Sequence, residues 1–181
     1  MHIVRVEVTP LNLVPQSPLV VAYGSYPVLE YALLTLHTDD GLVGVGEAAP
    51  DPQVTGETQE NVIRVLREWS SLLQGHDPFD IETILRMTAE AAPGYPAALA
   101  ALDMALYDLM GKALGVPVYK LLGGKVRDGM ALYPVIPMGE PTKMAAQAGL
   151  FAGMGFTILK LKVGSAPDTD EARVARVREA A

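Results

Sequence analysis

The stretch GFTILKLKVG, residues 155–164, sets Lys160 and Lys162 one residue apart in a run that otherwise has the composition of a buried β-strand. Successive side chains of a strand point to opposite faces. Phe156, Ile158, Lys160 and Lys162 are therefore expected on one face, and Leu159, Leu161 and Val163 on the other. The odd face can pack beneath helices. The even face carries two ammonium groups roughly 7 Å apart along the backbone. In a parallel strand they would stand at the C-terminal end, where α/β barrels and open sheets build their sites. Neighbouring cations in a dry pocket disfavour each other's protonation and burial adds to this, so one lysine of such a pair can act as a general base near neutral pH. An edge strand with two solvated lysines is the competing reading, because lysines avoid burial.

The flanking sequence decides how that strand is connected. Upstream, GMALYPVIPMG (129–139) reads as a short buried strand, and EPTKMAAQAGLFAGMG (140–155) as a helix starting near Pro141 and stopped at Gly155. Downstream, PDTDEARVARVREAA (167–181) begins another helix. Strand, helix, strand, helix with short connections is the pattern of parallel βαβ construction.

Further out the period changes. Ile3, Val4, Val6 and Val8 open a strand, and Tyr31 to Thr38 and Leu42 to Glu47 make two more, joined by the tight-turn signal DDG at 39–41. An antiparallel meander is expected. LVPQSPLVVAYGSYP (13–27) holds three prolines and a glycine and is expected to be a loop rather than a further strand; AAPDPQVTGET (48–58) is a second irregular stretch. Both are long enough to be functional. Thr58 to Leu73 carries Val62, Val65, Leu66, Trp69 and Leu73 along one helical face, Asp77-Pro78 is suited to starting a second helix, and YPAALAALDMALYDLMGKALGVP (95–117) is an alanine-rich third, ended by Gly115 and Pro117. A boundary falls near 125–130, after LLGGKVRD.

Composition bounds the function. The chain has 181 residues, half of them hydrophobic, with a net charge of -7 and no basic cluster, which argues against nucleic acid and anionic membranes as partners. There is no cysteine, hence no disulfide or thiolate metal site. The N-terminus alternates like a strand, and no apolar run approaches the ~20 residues of a membrane helix. A cytoplasmic protein is expected.

The other polar residues read as structural. The glycines of GLVGVGE (41–47) sit in a strand with no helix following, so they serve close backbone packing, not phosphate binding. Glu47 reads as a hydrogen-bonded carboxylate near an interface. Asp108 and Lys112 make an i,i+4 pair, Asp103 is a structural group, and His2, His37 and His76 share no metal spacing.

Three stretches in this order, DDGLVGVGEA (39–48), ALAALDMALYDLMGKALGVPVYKLLGG (98–124) and GFTILKLKVG (155–164), resemble the mandelate racemase and muconate lactonizing enzyme branch of the enolase superfamily. The resemblance runs over almost the whole chain. It implies an α+β capping domain (antiparallel meander plus helices) over residues 1–125. The first βα units of a modified TIM-type (β/α)7β barrel would follow over 126–181. It implies that Lys162 is the base that removes the proton α to a carboxylate. Lys160 would be its neighbour, contacting the substrate carboxylate and depressing the base's pKa. The two irregular stretches match loops that close over substrate, with Tyr23, Tyr26, Val54 and Thr55 as the side chains expected to bind it. The family's Mg²⁺ is held by acidic residues on the third, fourth and fifth barrel strands and its opposite-face base lies later still, so the metal ligands are expected outside residues 1–181, in a longer chain or a second polypeptide. The implied activity is racemisation or epimerisation of an amino-acid derivative or dipeptide through an enediolate. PQVTGET (52–58) is similar to the corresponding stretch of dipeptide epimerases. A muconate-type cycloisomerase or an acid-sugar dehydratase is the alternative, and a non-catalytic fragment the alternative of another class. A homo-oligomer is expected.

Overall fold

The computed structural model describes residues 1–16 and 18–181. In chain order the elements are β1 (Ile3–Leu13), β2 (Leu19–Val21), β3 (Gly24–Tyr26), β4 (Leu29–Thr38), β5 (Val43–Ala48), α1 (Gln59–Leu73), α2 (Ile81–Ala91), α3 (Pro96–Leu114), α4 (Val118–Leu121), β6 (Val135–Ile136), α5 (Pro141–Gly153), β7 (Lys160–Leu161) and α6 (Pro167–Ala180). They form two compact units, Met1–Leu13 with Leu29–Val126, and Val14–Val28 with Arg127–Ala181.

The first unit is a three-stranded antiparallel sheet in the order β1-β4-β5, as the alternation and the DDG turn require. Gly41 has φ 86 in that turn, and its N–H donates to Thr38 O at 3.1 Å. β1, opened by Ile3, Val4, Val6 and Val8, runs on to Leu13 through Pro10. An edge strand tolerates a residue without an N–H. One face of the sheet, with Ile3, Ala32, Leu34, Leu36 and Ala48, buries against Val62, Val65, Leu66, Trp69 and Leu73 of α1 and the alanine-rich side of α3. The strand glycines make the close approach possible: a Cβ at Gly46 would lie 1.9 Å from Ala101 O, and one at Gly44 2.3 Å from Ala105 O. The free edge of β5 is also closed by α3. Val45 N donates to Asp108 Oδ2 at 2.9 Å, and Lys112 Nζ donates to Val43 O at 2.6 Å and to Asp108 Oδ2 at 2.7 Å.

Helix boundaries follow their caps. Thr58 and Asn61 make a reciprocal capping box at the start of α1. Asp77-Pro78 starts a turn instead of a helix: Asp77 accepts from Phe79 N and Asp80 N, and α2 begins only after Asp80. α3 ends at Gly115 in the left-handed region, φ 67.

In the second unit β6 and β7 pair in parallel, Val135 with Lys160 and Ile136 with Leu161, and α5 connects them. Ile136, Met144, Ala148 and Val177 form its buried cluster, with Leu159 and Leu161 packed against it. The first of the two irregular stretches is not a loop throughout. β2 and β3 form a short antiparallel hairpin in this unit, pairing Leu19 with Tyr26 and Val21 with Gly24. Val20 and Val21 supply β propensity that outweighs the flanking prolines. Ser17, in the same stretch, lies outside the described residues.

Candidate active site

Lys160 and Lys162 are reached by an extended segment whose amides continue the parallel ladder. Lys160 N donates to Pro134 O and Lys162 N to Ile136 O, both at 3.0 Å. Leu159 and Leu161 turn inward to the buried cluster, so the intervening Lys160 falls on the opposite side. Its ammonium lies 5.7 Å above the ring centroid of Tyr133. Lys160 is exposed and Lys162 half-buried. The alternation begins later than expected. Phe156 N still donates to Phe151 O at the end of α5, and the Phe156 ring lines a groove with Leu159 and Leu161 instead of joining the lysines.

The hairpin rests on the C-terminal exits of these two strands. Past β6, Met138 N donates to Val20 O at 3.4 Å. Past β7, Gly164 faces Ala22, where an added Cβ would be 3.2 Å from the alanine's own. Tyr23 is 54% exposed and meets Tyr26 edge to face at 6.5 Å. The structure thus gathers Lys160, Lys162, Tyr23 and Tyr26 into one unit.

Val54 and Thr55 belong to the first unit. Val54 is 68% exposed. The Thr55 hydroxyl is turned into its own loop: it donates to Asp51 O at 3.1 Å and accepts from Asp51 N at 3.1 Å and Glu57 N at 3.4 Å.

Three polar residues emerge only with the structure. Glu57 is fully buried. Its carboxylate accepts from Ala97 N at 2.9 and 3.1 Å and from Ala98 N at 3.3 Å, which caps α3 from forty residues upstream. The signal in the sequence was negative, for YPAAL opens a helix without a Ser, Thr, Asp or Asn cap. Asp170 and Arg173, spaced i,i+3 on α6, bind the turn that follows Lys162. Burial alone would push the Asp170 carboxyl up. The Arg173 guanidinium and the N–H groups of Gly164 and Ser165 outweigh it and hold the pKa below the usual carboxylate range.

Among the described residues no three His, Asp or Glu side chains are grouped to hold a metal ion, so the residues present do not form a magnesium site. His2 and His37 are engaged with Asp39 and Glu7. Glu47 is exposed in the sheet opposite Leu33. No helix among the described residues is long and apolar enough to cross a membrane.

Residues 4–123 match the family described as mandelate racemase / muconate lactonizing enzyme, N-terminal domain. The chain is 34% identical over 180 residues to the N-succinyl-L-Arg/Lys racemase of Bacillus cereus, covering 99% of this chain and 49% of that protein. It is 35% identical over 181 residues to the hydrophobic dipeptide epimerase of Enterococcus faecalis, covering 99% and 51%. Among solved structures, the dipeptide epimerase of Enterococcus faecalis V583 complexed with Mg and the dipeptide L-Leu-L-Tyr superposes with a TM-score of 0.95 at 34% identity, again over 99% of this chain and 51% of that one. The chain therefore spans about half the length of the curated relatives it matches.

Proposed function

This chain belongs to the mandelate racemase / muconate lactonizing enzyme family, and from that premise we propose that it supplies the proton-abstracting part of a racemase or epimerase acting on an amino-acid derivative or dipeptide. The observation that carries the reading is the placement of Lys160 and Lys162. They stand where a parallel strand leaves its sheet, Lys160 on the side away from Leu159 and Leu161, with the Tyr23–Tyr26 hairpin resting on the same strand exit.

In this reading the neutral amine of Lys162 takes the substrate's α-proton and becomes an ammonium. The electron pair left behind moves into the carboxylate as an enediolate, and a proton returned to the α-carbon from the opposite face inverts the centre. Lys160 remains a cation and holds the substrate carboxylate, so negative charge that grows during abstraction is met by a positive group already in place. Tyr23 and Tyr26 bind the side chains of the substrate, and Val54 and Thr55 carry the same role on the resemblance. The capping domain is assigned to residues 1–125 and the first barrel units to 126–181, with the Mg²⁺ ligands and the opposite-face base outside this chain. Homo-oligomeric assembly and a cytoplasmic location accompany the reading.

The test is a panel of L,L-dipeptides and N-acyl amino acids incubated with the intact enzyme in deuterium oxide. Deuterium entering the α-position together with loss of optical purity supports the proposal. Turnover of muconates or acid sugars, with dipeptides and N-acyl amino acids left unlabelled, refutes it.

A further inference from the structure

The turn that leaves β7 carries more polar fastening than its length needs. Two residues beyond Lys162, Gly164 N donates to Asp170 Oδ2 at 2.8 Å and Ser165 N to the same oxygen at 3.1 Å, with the Ser165 hydroxyl 3.4 Å from Oδ1. One helical turn further on, Arg173 donates from Nη1 to Asp170 Oδ1 at 2.6 Å and to Ser165 Oγ at 2.5 Å. Its Nε donates to Gly139 O at 2.8 Å, and Gly139 lies three residues past the end of β6. A single arginine, its side chain only 10% exposed, therefore ties the exits of both parallel strands to α6.

Burying a charge costs several kcal/mol unless it is paired and its donors are used. Here three donations with different directions match the planar fork of arginine; a lysine ammonium, compact and flexible, could not reproduce them. A hydrophobic contact would stabilise the unit equally well without fixing a direction. Gly164, at φ 122, turns the chain sharply, and its own N–H is one of those bound, so the position of the backbone after Lys162 is set within hydrogen-bond tolerance. The hairpin's Ala22 packs against the same glycine.

We propose that Asp170 and Arg173 are positioning residues for proton abstraction: through Gly164 and Ser165 they fix the strand exit from which Lys162 projects, and so aim its amine at the α-carbon. The inference rests on the reading of Lys162 as the base. Neither residue touches substrate. Their loss should lower kcat and leave KM nearly unchanged, since displacement of a reacting group by about 1 Å can cost on the order of a hundredfold in rate.

The variants are Arg173→Lys, Arg173→Met and, as the mildest, Ser165→Ala, each assayed in the intact enzyme for kcat, KM and Tm. The amide exchange of Gly164 and Ser165 is followed by NMR in the same samples. The expected result is a fall in kcat of about tenfold or more for Arg173→Met, partly restored in Arg173→Lys, with KM within about twofold and faster exchange at both amides. Ser165→Ala, which retains the two backbone amide bonds to Asp170 and the Arg173–Asp170 pair, should show a smaller fall in kcat in the same sense. Unchanged kcat despite faster amide exchange would overturn the positioning role, as would a rise in KM that accounts for the whole loss. Lys162→Ala, measured alongside, separates the two levels: if it keeps full activity the base assignment fails, whereas loss of activity there with intact Arg173 variants sinks the clamp alone.

Discussion

Gly46 and Gly164 both sit against another part of the chain, yet they belong to regions held together in opposite ways. At Gly46 the sheet meets the backbone of α3, and around that contact Trp69, Leu34, Leu36, Leu102 and Leu106 are all buried. At Gly164 the neighbour is one alanine of a hairpin, and the buried cluster below it is Ile136, Met144, Ala148 and Val177. The second unit also leaves an apolar groove of about 500 Å³ open beside β7, lined by Phe156, Leu159, Leu161, Val174 and Val177. Its strand exits are fixed by ions and amides in place of methyl groups. The lesson is that packing specifies the first unit, whereas directed hydrogen bonds specify the geometry of the second, where the candidate catalytic lysines lie. Functional segments are commonly drawn from such regions of low local contact density.

Gly46→Ala gives the sharpest break. The added methyl would collide with Ala101 O, a backbone atom that cannot rotate away, so a loss of about 3 kcal/mol or more in urea unfolding is expected. Trp69 is the only tryptophan and sits in the first unit, so its fluorescence reports that unit's transition directly. A loss below about 1 kcal/mol would show that α3 does not press on β5 as described.

Glu57→Ala comes next, since it strips the N–H groups of Ala97 and Ala98 of a buried acceptor. About 1–3 kcal/mol should be lost, with faster hydrogen exchange at those two amides. Unchanged exchange there would mean that water or another group caps α3.

Acid acts on the second unit through Asp170. Because the folded pKa of Asp170 is depressed, its stabilisation is complete above its unfolded value near 3.9 and is lost as pH falls through the lower folded value. Acidification should therefore release the Gly164 and Ser165 amides in the wild type. In Asp170→Asn those amides should exchange faster at neutral pH and respond little to acid. An identical acid response in both proteins would remove Asp170 from the clamp.

Asp103 offers the smallest effect and the opposite sign. Burial and then the nearby Glu82 push its carboxyl up, so the ionised form is disfavoured in the folded chain once pH rises through the unfolded value. Asp103→Asn should raise stability at pH 7 by about 0.5 kcal/mol and change nothing at pH 3. Destabilisation at pH 7 would reveal a partner for the carboxylate.

Much of this was legible in the chain because the relevant signals are local. The meander followed from period-two alternation and DDG, the glycines of GLVGVGE from their place inside a strand, and the paired lysines from a spacing that only a strand makes meaningful. The hairpin at 19–26 was hidden because prolines flanking it outweighed two valines in a reading of composition. The late start of α2 reflects competition between a turn at Asp77 and a helix there, which local sequence does not settle. Glu57, Asp170 and Arg173 were not legible as anchors, since each acts through backbone groups that only the fold brings within reach. The lysines' surroundings belong to the same class. A strand pattern places two ammonium groups on one side, but that Lys160 lies over Tyr133 depends on the pairing of β6 with β7.

The central claim is that Lys162 removes the α-proton, and solvent exchange tests it without requiring net turnover. Lys162→Ala in the intact enzyme, given each enantiomer of an active substrate in deuterium oxide, should abolish α-deuterium incorporation for at least one of them while the protein keeps its fold. Undiminished incorporation from both enantiomers would contradict the account and transfer the base to another residue.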